Sequence, residues 1–275
     1  MDLSNISYTQ FCAIIGFFGL IVGSFLNVII YRLPIMYVRQ LKAEMPGERN
    51  ELDNNRGATS ALTLSTPRST CPTCNTALRI RDNVPLLSWV ALKGKCAHCD
   101  TPISARYPAV ELLTSILSLF LAIQFGSTLT TIALLLFTFL LISLAFIAID
   151  GQRIPTALTQ MLLWAGLFSS VYEIGLVEIK MSIIGALAGG LGAALLWHIK
   201  KHCSYGVKLK DLIPVMVGLG ATLGPSALAA VSLVSVTLHF CVHIAAADRF
   251  YHAKHNPNVY VTLVCIVSYS SIYAL

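Results

Sequence analysis

The sequence predicts an all-α polytopic membrane protein of about eight transmembrane helices, with a cytoplasmic zinc-knuckle insertion between the first and second. Three observations carry this. The 275 residues are 56% hydrophobic and 12% charged, whereas soluble domains carry about 25% charged residues. The apolar residues gather into runs of the roughly 20 residues needed to cross a bilayer. Two Cys-x-x-Cys pairs, Cys71/Cys74 and Cys96/Cys99, stand in a polar stretch with 21 residues between them.

The first span is Phe11 to Tyr31. It does not read as a cleavable signal peptide, because no positive charge precedes it and Arg32 follows it. Residues 32–106 form a long polar segment. Spans then follow at 108–125, 128–149, 157–175 and 181–199. After a basic loop, 212–246 is long enough for two spans broken at Gly224-Pro225, and the last span covers about 258–274. The chain accordingly divides into a first transmembrane helix (1–33), a cytoplasmic insertion (34–106) and a transmembrane core (107–275).

Lys and Arg orient these spans. Residues 32–106 hold eleven of the nineteen; Arg153, Lys200, Lys201, Lys208, Lys210, Arg249 and Lys254 fall on the same side of an eight-span arrangement, and Lys180 on the other. Such an excess marks the cytoplasmic side, which places both termini outside and the cysteine pairs in the cytoplasm. The net charge of +6 therefore reflects membrane topology and does not point to a nucleic-acid partner; the partner it implies is membrane lipid.

Within the insertion, 35–67 reads as a connector with one amphipathic helix near 36–45 and a loose remainder. The four cysteines that follow suit a tetrahedral zinc site, each knuckle presenting two sulfurs to one ion. The alternatives are two disulfides or four unrelated thiols; a reducing cytoplasm disfavours the disulfides. Four thiolates leave no open coordination position, so the metal would be structural. Of the eight cysteines, Cys12, Cys241 and Cys265 lie in apolar runs, and Cys203 in a basic loop. No internal repeat or low-complexity run is evident.

Ionisable residues at membrane depth are the candidates for chemistry. Asp150 ends the third span in Phe-Ile-Ala-Ile-Asp-Gly-Gln-Arg-Ile-Pro155, and Asp211 opens the sixth after Lys208-Leu-Lys210. Asp150 also suits a span terminator and Asp211 a helix N-cap. Facing each other at the cytoplasmic mouth, two carboxylates could share a proton, one acting as base toward water and the other as acid toward a carbonyl. His239 and His243, four residues apart, share a helix face; with no third ligand nearby they read as packing residues. Glu111 reads as structural, a partner for Arg106 or for the active site. Gly185-x-x-x-Gly189, with Gly190 and Gly192, reads as a helix-packing face.

Four segments carry a family resemblance: Gly23-Ser-Phe-Leu-Asn-Val-Ile-Ile-Tyr-Arg-Leu-Pro34, Thr66-Pro-Arg-Ser-Thr-Cys-Pro-Thr-Cys74, Asp82-Asn-Val-Pro-Leu-Leu-Ser-Trp89 and Ile103-Ser-Ala-Arg-Tyr-Pro-Ala-Val-Glu-Leu-Leu113. Together with Ala148-Ile-Asp150 and Ile154-Pro155, they resemble the type IV prepilin leader peptidases, densely over residues 10–165. The resemblance implies a polytopic aspartic endopeptidase of the bacterial inner membrane. It would remove the leader from type IV prepilins or type II secretion pseudopilins, then N-methylate the new terminus with S-adenosyl-L-methionine. It makes Asp150 the first catalytic carboxylate. The family's usual aspartate after the proline is Thr156 here. The second catalytic aspartate normally sits in Gly-x-Gly-Asp; here Ser204-Tyr-Gly206-Val207-Lys208-Leu209-Lys210-Asp211 departs from that pattern, and Asp211 is the candidate. A chain without a working second aspartate would instead be a degenerate, non-cleaving homologue that methylates or binds pilins for assembly. A zinc-capped transporter or assembly scaffold is disfavoured, because no charged residues line a path at mid-membrane depth, as a proton relay would need. No donor-binding motif identifies cofactor-binding residues.

Overall fold

The structure, a computed structural model, describes residues 7–44, 62–71, 73–79, 82, 84–201 and 212–247. The connector at 45–61, Cys203, Asp211, the span expected at 258–274 and its Cys265 lie outside the described residues, as do the side chains of Cys241, His239 and His243.

The regular elements among the described residues are helices. In chain order they are α1 (Tyr8–Glu44), α2 (Leu87–Ala91), α3 (Arg106–Phe125), α4 (Leu129–Ile149), α5 (Thr156–Val171), α6 (Ile179–Lys201) and α7 (Leu212–Ala247). Four stretches among them are long and apolar enough to cross a membrane: Tyr8–Glu44, Arg106–Phe125, Leu129–Ile149 and Leu212–Ser232. α5 and the apolar Ile179–Leu195 are shorter. The chain divides after Ser127 into two compact units.

In the first unit, α1 and α3 run antiparallel. The Tyr8 hydroxyl donates to the Ile123 carbonyl at 2.7 Å, the Ser115 hydroxyl to the Gly16 carbonyl at 2.7 Å, and the Asn27 amide to the Tyr107 carbonyl at 3.1 Å. Small residues let the backbones meet. A Cβ on Gly19 would lie 2.8 Å from Ser115 Cα, and one on Gly23 2.7 Å from Glu111 Cα; both positions admit only glycine without a shift.

The first helix departs from expectation. A span ending near Tyr31 and a separate amphipathic helix near 36–45 are replaced by one helix of 37 residues running through Pro34. The proline removes one backbone bond, the one to the Ile30 carbonyl. It does not end the helix, because Met36, Arg39, Gln40, Leu41, Lys42, Ala43 and Glu44 after it are good helix formers. The helix thus crosses the boundary drawn at residues 33 and 34.

In the second unit, α4 supplies the most deeply buried surface. Leu134, Ile142, Leu144, Ala145 and Ile147 are fully buried. Its buried hydroxyls are satisfied within the helix: Thr138 donates to the Leu134 carbonyl at 2.8 Å and Ser143 to that of Phe139 at 2.9 Å. Gly185 and Gly189 of α6 do form a packing face, against Gly220 and Met216 of α7. Gly190 meets Val217, while Gly192 faces open space.

α7 breaks where the sequence indicates. Gly224 has φ 72° and ψ 175°, and Pro225 follows. A Cβ on Gly189 would lie 2.8 Å from the Met216 carbonyl carbon and 3.2 Å from Leu228 Cδ2. A straight helix would carry Met216 and Leu228 about 18 Å apart. Both reach one point on α6, so the chain folds back at Gly224.

Candidate metal centre and carboxylate site

The four cysteines converge. Their sulfurs lie within 4.8 Å of one another, with Cys71 Sγ and Cys99 Sγ 3.7 Å apart. Four sulfurs about 2.3 Å from one zinc stand about 3.8 Å from each other, whereas a disulfide needs about 2.05 Å. All four are free thiols, so the geometry fits a metal and not the disulfide alternative.

Each pair sits in a tight knuckle, and the two knuckles are alike. Thr70 pairs with Ala77, and Lys95 with Pro102. The Cys71 N–H donates to the Thr76 carbonyl at 3.0 Å and that of Asn75 to the Cys71 carbonyl at 2.9 Å; Cys96 donates to Thr101 at 2.9 Å and Asp100 to Cys96 at 3.1 Å. Asn75 and Asp100 both take positive φ, 54° and 55°, a conformation those residue types tolerate best after glycine. The absence of an internal repeat expected from the sequence is therefore corrected. Cys-x-x-Cys-(Asn/Asp)-Thr recurs at Cys71 and Cys96, and the shared Asn/Asp-Thr was the readable signal.

The knuckles set unequal thiol acidities. The N–H groups of Cys74 and Thr73 point at the Cys71 sulfur and lower its pKa to about 6. The Thr76 hydroxyl and backbone N–H lower that of Cys74. Cys96 receives N–H bonds from His98 and Cys99, yet burial and the facing sulfurs of Cys71 and Cys99 prevail and raise it. A divalent cation would deprotonate all four.

Buried polar groups of the helix pair hold the insertion. Arg32 is 8% exposed; its guanidinium donates to the carbonyls of Thr63 at 2.9 Å, Leu64 at 3.4 Å and Pro67 at 2.7 Å. Residues 63–67 are thus fixed, not the loose remainder expected. Glu111, also 8% exposed, accepts the Leu86 N–H at 2.7 Å and a hydrogen bond from the Ser24 hydroxyl. That bond secures Leu86, a bulky residue at φ 59°, where such side chains are outliers. Trp89 donates from its indole to the Ile103 carbonyl at 3.2 Å and lies over Gly94 (φ 70°), where a Cβ would be 2.9 Å from the ring. The arginine and the backbone role of the glutamate were not read from the sequence.

Asp150 is the exposed C-cap of α4. The turn after it is a Schellman motif: the Gly151 N–H donates to the Ala148 carbonyl at 3.0 Å and the Gln152 N–H to that of Ile147 at 3.2 Å. Gly151 takes the required positive φ, 63°. Ile-Asp-Gly therefore sets the carboxylate at the last turn of a 21-residue apolar helix. Its expected partner, Asp211, lies outside the described residues.

Residues 17–125 match the family described as Bacterial Peptidase A24 N-terminal domain. The chain is 40% identical over 232 residues to the prepilin leader peptidase/N-methyltransferase of Aeromonas hydrophila, covering 81% of this chain and 77% of that one. It is 39% identical over 219 residues to the protein of the same name from Neisseria gonorrhoeae, covering 79% and 76%. A type 4 prepilin-like proteins leader peptide-processing enzyme of Escherichia coli O78:H11 is 36% identical over 222 residues, covering 79% and 78%. No solved structure matches significantly. Identity at this level across four-fifths of the chain places it in the prepilin leader peptidase/N-methyltransferase family.

Proposed function

We propose that this protein is a membrane-embedded aspartic endopeptidase of the bacterial inner membrane. It removes the leader from type IV prepilins or type II secretion pseudopilins, then N-methylates the new terminus. The observation that carries this reading is the similarity over four-fifths of the chain to proteins named for that processing.

The reading divides the chain into a first membrane-crossing segment (1–33), an insertion (34–106) that begins within the cytoplasmic extension of the same helix, and a core (107–275), in eight spans with periplasmic termini. The insertion and both aspartates then face the cytoplasm. A prepilin's apolar helix sits in the bilayer with its basic leader in the cytoplasm, so the scissile bond falls at the end of α4. One of Asp150 and Asp211 takes a proton from water while the other donates one toward the peptide carbonyl; such a pair titrates as a unit. Cys71, Cys74, Cys96 and Cys99 would hold zinc, which supplies folding energy to the insertion and leaves no position for water. S-adenosyl-L-methionine would be the methyl donor, as the relatives' names suggest.

A second reading is favoured by one sequence observation. Ser204 to Asp211 lacks the family's Gly-x-Gly-Asp pattern, and an aspartic dyad with one carboxylate has no acid–base pair. The protein would then be a non-cleaving homologue that methylates or binds pilins. Incubating the purified protein with a prepilin and a labelled methyl donor separates the two. The first reading expects a shortened pilin carrying label; the second expects an uncut prepilin.

A further inference from the structure

The insertion carries an apolar stripe that neither the metal centre nor the aspartates use. Val84, Leu87 and Val90 recur every three residues and are 38%, 65% and 60% exposed. Leu87 and Val90, three apart on α2, lie on one side of that helical turn, and Val84 precedes it. Trp89, between them, turns inward to the Ile103 carbonyl.

The height of this stripe relative to the bilayer can be read from its attachment. Where Asn27 meets the Tyr107 carbonyl, the α1–α3 pair presents two exposed tyrosines, Tyr31 (59%) and Tyr107 (48%). Exposed tyrosines at the end of an apolar helix pair mark the membrane–water interface. Glu111 lies one turn further into α3, and its carboxylate takes the Leu86 N–H at 2.7 Å. A helical side chain leans toward its helix N-terminus, so Leu86 is pinned between the levels of Glu111 and Tyr107. Leu87 is its covalent neighbour and α2 begins there. The exposed stripe therefore stands at headgroup height. Just past α2, Lys93 and Lys95 are exposed as well.

We infer that α2 is an interfacial anchor. Leu87 and Val90 enter the boundary between headgroups and acyl chains of the leaflet on the insertion's side, and Lys93 and Lys95 engage anionic phospholipid headgroups. Apolar side chains with adjoining lysines are the pattern that binds such surfaces. Gly94 and Cys96 follow directly, so the anchor sets the height of the knuckles above the membrane. The inference rests on the first unit alone and is independent of the catalytic reading.

The test places a photo-crosslinking amino acid at position 87 or 90 of the full chain. The protein is reconstituted in nanodiscs of phosphatidylethanolamine and phosphatidylglycerol, and position 73 serves as the control. The expected result is a phospholipid adduct from 87 and 90 at several times the yield from 73. Adduct yield should fall at least twofold in nanodiscs of phosphatidylcholine alone, and the K93Q/K95Q variant should abolish that difference. An adduct to another segment of this chain or to a second polypeptide overturns the inference, as does a yield at 87 and 90 no higher than at 73. Equal yields in the two lipid compositions overturn the role of the lysines.

Discussion

Cys71 and Cys99 hold their sulfurs 3.7 Å apart across 28 residues of chain, close to the ~3.8 Å edge of a tetrahedral zinc–thiolate site. The two knuckles reach that spacing through matching turns, so each sulfur is placed by its own backbone and not by the metal alone. Elemental analysis of the purified protein should find about one zinc per chain. Cys99→Ser should lose most of it and lower the temperature at which the insertion unfolds. A protein purified without chelators that carries no zinc would contradict this.

Acidity should rank the sulfurs once the metal is stripped. Cys71, held at about pH 6 by the Cys74 and Thr73 N–H groups, lies below an ordinary thiol at about 8.5. Its folded pKa is depressed, so its ionised form contributes stability above that ordinary value, and the contribution is lost as pH falls through about 6. Thiolate absorbance of the stripped protein should therefore rise in a first step near pH 6 that Cys71→Ser removes. A titration with no step below about pH 8 would count against it.

Glu111 should matter as an acceptor more than as a charge. Glu111→Ala leaves the part-buried Leu86 N–H without its acceptor, which costs about 1 kcal/mol. Glu111→Gln keeps an oxygen for that bond and should recover most of the loss. Thermal unfolding in detergent, with hydrogen exchange at the Leu86 amide, reads both effects. Equal damage from the two variants would show that the charge itself is required.

Close helix contact can be tested by adding one methyl group. Gly23→Ala places a Cβ 2.7 Å from Glu111 Cα and should cost about 1–3 kcal/mol through overpacking. At Gly192 nothing lies within 4 Å, so Gly192→Ala should be neutral or gain up to about 1 kcal/mol from helix propensity. Similar unfolding temperatures for the two would contradict the packing described.

Much of this architecture could be read from residue types. Long apolar runs mark α1, α3 and α4 because burial in lipid demands them, and Gly224-Pro225 marks the break in α7 because φ 72° at Gly224 suits glycine and Pro225 offers no backbone N–H to continue the helix. The cysteines announce their own cluster. Other features depend on partners far along the chain. Pro34 looks like a stop, yet the helix formers after it carry the helix on. Arg32 looks like one more cytoplasmic positive charge, and nothing local says that it binds the carbonyls of residues 63–67. Leu86 gives no hint of its positive φ, which exists because Glu111 holds its N–H. Asp150 was visible as the end of an apolar run. What places it is the Schellman turn, which Gly151 makes affordable to the backbone.

The central claim is a working pair of carboxylates, and the most direct measurement is the cleavage rate of a co-expressed prepilin by Asp150→Asn and Asp211→Asn, each checked for membrane insertion and zinc content. The account predicts that either variant loses at least about a hundredfold in rate, as removal of a general acid or base does. An Asp211→Asn protein that cleaves at the wild-type rate would contradict it.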